Sequence, residues 1–159
     1  MATTGMNEGE PLLSAEDAAR LVAQASDEQL AEGMRANRDA ILDGIFASMP
    51  ERIDAAKTAD LRLIAEWRIG DREDGGVDRW QVHIDKGKCR IEREGGAQPD
   101  VTYEIGAVDF LRLVTGNESG PKLFLFGRLR IHGNLLLAAR MPSFFKVPDE
   151  PSSRGQTPT

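Results

Sequence analysis

Apolar positions along this chain follow two periods, helical at the start and alternating from the middle onward. Ala18, Leu21, Val22 and Ala25 recur at helical spacing behind Ser14, with Glu16 and Asp17 at the positive end. This predicts a first helix over 14–25. Ser26, with Gln29 three residues later, reads as a capping box that opens a second helix carrying Leu30 and Met34. Asn37 punctuates that helix. Ile41, Leu42, Ile45, Phe46 and Met49 then continue a single stripe up to Pro50, which ends the element or begins a short turn after it.

From Asp60 the period falls to two. Leu61, Leu63, Ala65, Trp67 and Ile69 alternate with Arg62, Glu66 and Arg68, and Ile64 is the one exception. After the polar turn 71–76, Trp80, Val82 and Ile84 form a second strand and Cys89 and Ile91 a third, in an antiparallel meander. Val101, Tyr103 and Ile105 mark a fourth strand. A short helix follows over 107–115, with Phe110, Leu111 and Val114 apolar and Gly116 suited to its end. A Gly/Asn/Pro loop leads to a fifth strand through Leu125, Gly127, Leu129 and Ile131. Gly133-Asn134 can start a last helix, Leu135 to Phe145. This order implies an α+β fold, a five-stranded mixed or antiparallel sheet with helices packed on one face.

Composition narrows the class. At 159 residues the chain suits one domain, burying roughly 70% of its unfolded surface. A formal charge of −6 argues against a nucleic-acid partner, which a basic stripe would serve. Residues 1–12 and the tail from Asp149 are small and polar and are expected to be disordered. The start has no basic segment before an apolar run, no run is long enough to span a membrane, and the end is not a peroxisomal address. A cytoplasmic location is the simplest expectation. No cofactor is implied. Glycine-rich phosphate cradles are absent, and one cysteine, Cys89, makes neither an internal disulfide nor a zinc site.

Candidate chemistry is sparse. His83 and Asp85 share a strand face and have the makings of a base and its orienting partner, but alternation points them away from the core. His132 alternates away in the same manner. Asp71, Glu73 and Asp74 cluster without calcium-loop spacing and read as a solvated turn. Arg128, Arg130 and His132, with Lys86, Lys88 and Arg90, suit a CoA phosphate or an anionic membrane, and equally a soluble sheet face.

Five phrases carry a family resemblance: Phe46-Ala47-Ser48-Met49-Pro50, then Trp80 to Gly87, Pro99 to Ile105, Asp109 to Gly116, and Phe126 to Asn134. In this order they resemble the sterol carrier protein type two (SCP2-like) lipid-binding family over about 37–147. In the last phrase Asn134 stands where the family usually has Asp, and His132 where Lys is common. The resemblance implies an apolar tunnel between sheet and helices and either non-catalytic binding and intracellular transfer of a fatty acid, acyl-CoA or sterol, or use as a module in larger enzymes. The chain divides accordingly into an N-terminal extension over 1–36, a lipid-binding domain over 37–148 and a tail over 149–159.

The sequence offers a lining for such a cavity. Trp67, Val82, Ile84, Tyr103, Leu129 and Ile131 face inward from strands, and Phe110, Leu113, Met141, Phe144 and Phe145 come from helices. Burying about 16 methylenes at roughly 0.8 kcal/mol each gives about 13 kcal/mol before association costs, ample for tight binding. Two other readings stay open. One is a small SnoaL-like cyclase or isomerase, which needs a polar dyad in the pocket. The other is a protein-interaction module, which needs a solid core and an exposed apolar patch. The partner expected first is a lipid or other hydrophobic small molecule, with room for transient membrane or enzyme contact and with oligomeric state open.

Overall fold

The computed structural model describes residues 15–146. The expected cap Ser14 and the two expected disordered ends lie outside them. Helix α1 (Ala15–Gln24) leads into α2 (Asp27–Arg52) through Ser26. The Gln29 N–H donates to Ser26 Oγ at 3.1 Å and the Ser26 N–H to Gln29 Oε1 at 2.9 Å, the reciprocal capping read from sequence. Asn37 leaves helical geometry (φ −138°, ψ 34°) and kinks α2. Arg38 holds the kink to the sheet, donating to Asp78 Oδ2 at 2.6 Å and to the carbonyls of Ile69 and Gly70 at 2.7 and 2.8 Å. The helix continues through Pro50 to Arg52, beyond the stop expected from sequence. Pro50 lies in the last turn, where its missing N–H forfeits a single bond.

Five strands follow: β1 (Arg62–Ile69), β2 (Asp78–Asp85), β3 (Lys88–Arg93), β4 (Val101–Ile105) and β5 (Leu129–Gly133). Their order across the sheet is β3-β2-β1-β4-β5, with β1 and β4 parallel and the other pairs antiparallel, so the sheet is mixed. Register places Trp67 opposite both Trp80 and Tyr103, and Tyr103 opposite Ile131. Because side chains alternate between faces, this alignment gathers the apolar rows of all strands on one side. Helix α2, α3 (Ala107–Val114) and α5 (Leu135–Arg140) bring their apolar side chains to that side.

The chain must pass β2 and β1 to travel from β3 to β4, and residues 94–100 do so on the opposite face. Gln81 Nε2 donates to the Ala97 carbonyl at 2.8 Å, and the Ile64 N–H donates to Asp100 Oδ2 at 2.8 Å. Three strand spacings are about 14 Å, within reach of seven extended residues.

Two elements differ from the sequence reading. The loop before β5 contains a short helix α4 (Gly120–Leu125), with Ser119 Oγ accepting the Lys122 N–H at 3.2 Å and Pro121 in its first turn. Leu125 and Gly127 therefore belong to a helix end and turn, and β5 begins only at Leu129. The last helix stops at Arg140 and tightens into a 3-10 turn, Met141–Phe144, because Pro142 has no N–H for an α-helical bond.

Candidate functional site

All eleven expected lining residues fall in one apolar cluster between helices and sheet. Val82, Ile84, Tyr103, Phe110, Leu129, Met141 and Phe144 are buried, and Trp67, Leu113, Ile131 and Phe145 pack half-buried against them. Trp67 stacks on Tyr103 with ring centroids 4.2 Å apart and meets Phe110 edge-on at 5.5 Å. The Tyr103 hydroxyl donates to the Ala138 carbonyl at 3.3 Å, and burial pushes its phenol well above the ordinary value. Met141 and Phe144 arrive on the 3-10 turn. That turn is tied to the end of α2 by the Asp54 N–H on the Phe144 carbonyl and the Lys146 N–H on the Arg52 carbonyl, both at 2.7 Å.

Two residues central to this layer were outside the expected lining. Phe46 stacks face to face on Trp80 at 4.5 Å and 5°, and also on Phe110 at 5.5 Å. Both carried a signal, since Phe46 lies on the α2 stripe and Trp80 alternates in phase with Val82 and Ile84. Arg93 lies 5.0 Å from the Trp80 ring centroid. Trp80 Nε1 is nonetheless buried without a hydrogen-bond acceptor, the only such side-chain atom among the described residues. A buried donor without a partner costs about 1–3 kcal/mol, so this atom marks a place where an acceptor is missing.

A cleft of about 1090 Å³ opens beside the α2 kink, between α2 and the 71–78 turn. Met34, Ala107 and Val108 form its apolar floor and Arg35, Arg38, Arg72 and Arg93 stand among acidic residues on its walls. None of the eleven expected lining residues borders it. Asp78, nearly inaccessible, receives Arg38, Arg72 at 3.3 Å and Arg93 at 3.5 Å. Asp71 turns through a positive φ of 65° and accepts the Ala107 N–H, opening α3, while Asp74 pairs with Arg72.

Both histidines lie on the helix-free face. His83 Nε2 sits 3.2 Å from Gln81 Oε1 and 3.4 Å from Glu92 Oε1, while Asp85 pairs with Arg62 at 3.4 Å. The two therefore have separate partners. His132 reaches Glu104 at 3.5 Å. Cys89 faces the apolar side half-buried, and burial pushes its thiol up to about 11, which suppresses the thiolate. Among the described residues no group of His, Cys, Asp and Glu is arranged to hold a metal, and no helix is long and apolar enough to cross a membrane.

Comparison with known proteins agrees with this architecture. The oleate-induced peroxisomal protein POX18 of Candida maltosa is 31% identical over 78 residues, 48% of this chain and 61% of that protein. Sterol carrier protein 2 of Rattus norvegicus is 24% identical over 132 residues, 81% of this chain and 23% of that protein. The chain thus spans only part of either relative's length. Among solved structures, palmitated sterol carrier protein 2 like 2 of Aedes aegypti superposes with a TM-score of 0.55 at 20% identity, over 67% of this chain and 96% of that one. The inverting sec-alkylsulfatase of a Pseudomonas species contains the same fold in 16% of its length, matching 64% of this chain with a TM-score of 0.54 at 11% identity. The profile of the SCP-2 sterol transfer family matches residues 42–146, and the chain belongs to that family.

Proposed function

We propose that this chain is a non-catalytic carrier that binds one lipid-like molecule, a fatty acid, acyl-CoA or sterol, and transfers it within the cell. The observation that carries the reading is the apolar layer. Eleven side chains from four strands, α3 and the C-terminal turn meet there, and the same core holds Trp80, whose buried indole N–H has no acceptor. The ligand's acyl or ring body takes the layer, and its carboxylate, carbonyl or hydroxyl accepts from Trp80 Nε1. Family membership supports the same reading.

The side chains fill the layer by direct ring stacking, so a ligand enters by displacing part of its cover. α5 and the 3-10 turn are the part we assign to move. α5 has six residues, too short to be stable by itself, and one 3.3 Å bond from Tyr103 ties its Ala138 carbonyl to the sheet.

Native mass spectrometry of protein purified from cells, followed by lipid extraction, tests the proposal. Near-stoichiometric fatty acid, sterol or acyl-CoA establishes the carrier and names its ligand class. Hydrogen exchange over Leu135–Phe144 is then expected to slow when ligand is added. A clean ligand-free mass, together with no displacement of a fluorescent fatty acid in titration, would refute it.

A further inference from the structure

Acidic and basic residues are distributed unevenly along this chain. Residues 119–148 contain five Lys or Arg and no Asp or Glu, while the remainder, with fifteen basic against 26 acidic residues, carries −11. The described part of this acid-free stretch folds as α4, β5, α5 and the 3-10 turn. Strand β5 is an edge of the sheet, and both α4 and α5 pack on it. A local run of charge in the sequence thereby becomes a basic margin on an acidic body.

The same margin holds five of the seven large apolar side chains exposed among the described residues. Phe124, Leu125 and Phe126 end α4, and Leu135 and Leu136 begin α5, with Leu125 78% and Leu136 80% exposed. The two groups flank β5 at its opposite ends, within about 30 Å of each other along the chain. Between and beside them lie the cations. Arg128 pairs with Asp109, Lys122 with Glu118 and His132 with Glu104. The Lys122 and His132 pairs are partly exposed single contacts and therefore weak, whereas Arg128 grips Asp109 through two bonds, of 3.1 and 2.6 Å. Arg130, Arg140 and Lys146 form no ion pair among the described residues.

We propose that this margin docks reversibly on an anionic lipid bilayer. Phe and Leu enter the headgroup region at two separate points, and the Arg and Lys side chains meet the lipid phosphates across the strand between them. A bilayer accepts separated apolar anchors without the shape match a protein partner demands. The charge of the margin is complementary to such a surface, and residues 15–118, with fourteen basic against 22 acidic residues, turn the body away from it. The proposal goes beyond ligand carriage and does not depend on it, because docking is measured on ligand-free protein.

The test is co-sedimentation with phosphatidylcholine vesicles, with and without phosphatidylserine. Binding is expected to favour the phosphatidylserine vesicles and to weaken with salt. The double variant Leu125→Ser/Leu136→Ser is expected to partition roughly tenfold or more weakly on both vesicle types. Arg130→Glu is expected to lose affinity on the anionic vesicles alone. Both variants change exposed side chains, and an unaltered urea midpoint confirms that they fold. Absence of parent binding to either vesicle overturns the proposal, as does equal binding of parent and variants. A dimer in analytical sedimentation that the Leu substitutions dissociate also overturns it, by giving the apolar residues to a second copy. Docking without extractable lipid would leave the membrane face standing and remove the carrier reading.

Discussion

Glu66 is a carboxylate almost closed to solvent on the helix-free face of the sheet. Burial alone would raise its pKa. Hydrogen bonds from Arg68 at 2.8 Å and Gln81 at 2.9 Å, with the charges of Arg68 and Arg79, outweigh that and hold it below the ordinary 4.5. A depressed folded-state pKa gives stability that is complete above about 4.5 and lost as pH falls from there toward the folded value. Glu66→Gln is therefore expected to cost about 1–3 kcal/mol at neutral pH and progressively less in acid, read as converging urea midpoints between parent and variant. Trp80 poses the opposite problem, a donor with nothing to receive it. Trp80→Phe keeps an aromatic ring against Phe46 and removes the orphan N–H. Its relief of about 1–3 kcal/mol offsets much of the lost ring area, so unfolding free energy should stay within about 1 kcal/mol of the parent. Fatty-acid affinity should fall roughly ten- to a hundredfold, as expected for a lost bond to a charged acceptor. Equal fatty-acid titrations for parent and variant would show that the N–H serves no ligand.

At the scale of elements, the α2 kink is where charge organises the fold. Asp78 is 4% exposed and Arg38 14%, and that arginine also satisfies two carbonyls at the end of β1. Asp78→Ala strands Arg38 against the sheet end and is expected to cost about 3–5 kcal/mol, measured by urea unfolding. Nothing in the spacing of Arg38 and Asp78 announces the pair, because forty residues separate them and only the packing of α2 on the ends of β1 and β2 brings them together. Local signals were readable. The Ser26–Gln29 box forms as expected, and Asn134 Oδ1 accepts the Leu137 N–H at 2.9 Å to start α5. The apolar pattern does not set helix α4 apart, because Leu125, Gly127, Leu129 and Ile131 alternate across a helix end, a turn and a strand alike. Gly133 was visible as a motif position, but its reason is not local. It has φ +99°, and a Cβ there would lie 2.5 Å from the Asp100 carbonyl oxygen. For the site, period-two alternation identified the inward face of every strand. Alternation reports which face a side chain takes and is silent about the volume between layers, so the stacking of Phe46 on Trp80 and the orphan N–H became visible only in three dimensions.

For the whole molecule, the segment before the family match is tied into the fold through α3. Val22 of α1 is buried in the common core. Asn117 Nδ2 donates to the Ala19 carbonyl at 3.0 Å, and Arg112 reaches Asp27 at 2.6 Å from the end of α3. Helix α1 thus covers α3, rather than the sheet edges at β3 and β5. The consequence reaches the apolar layer, because Phe110 on α3 touches both Phe46 and Trp67. A chain shortened to residues 26–159 keeps all five strands and the Phe46–Trp80–Phe110 stack, and loses chiefly the burial of Val22. It is expected to unfold in one cooperative step about 2–3 kcal/mol less stable than the full chain, by urea titration. Fatty-acid binding should persist in the shortened chain, since α1 supplies none of the eleven lining residues. Loss of binding with retained cooperativity would mean that α1 fixes α3 in its ligand-competent position. A broad unfolding transition would mean instead that α1 is needed for the layer to pack as one unit.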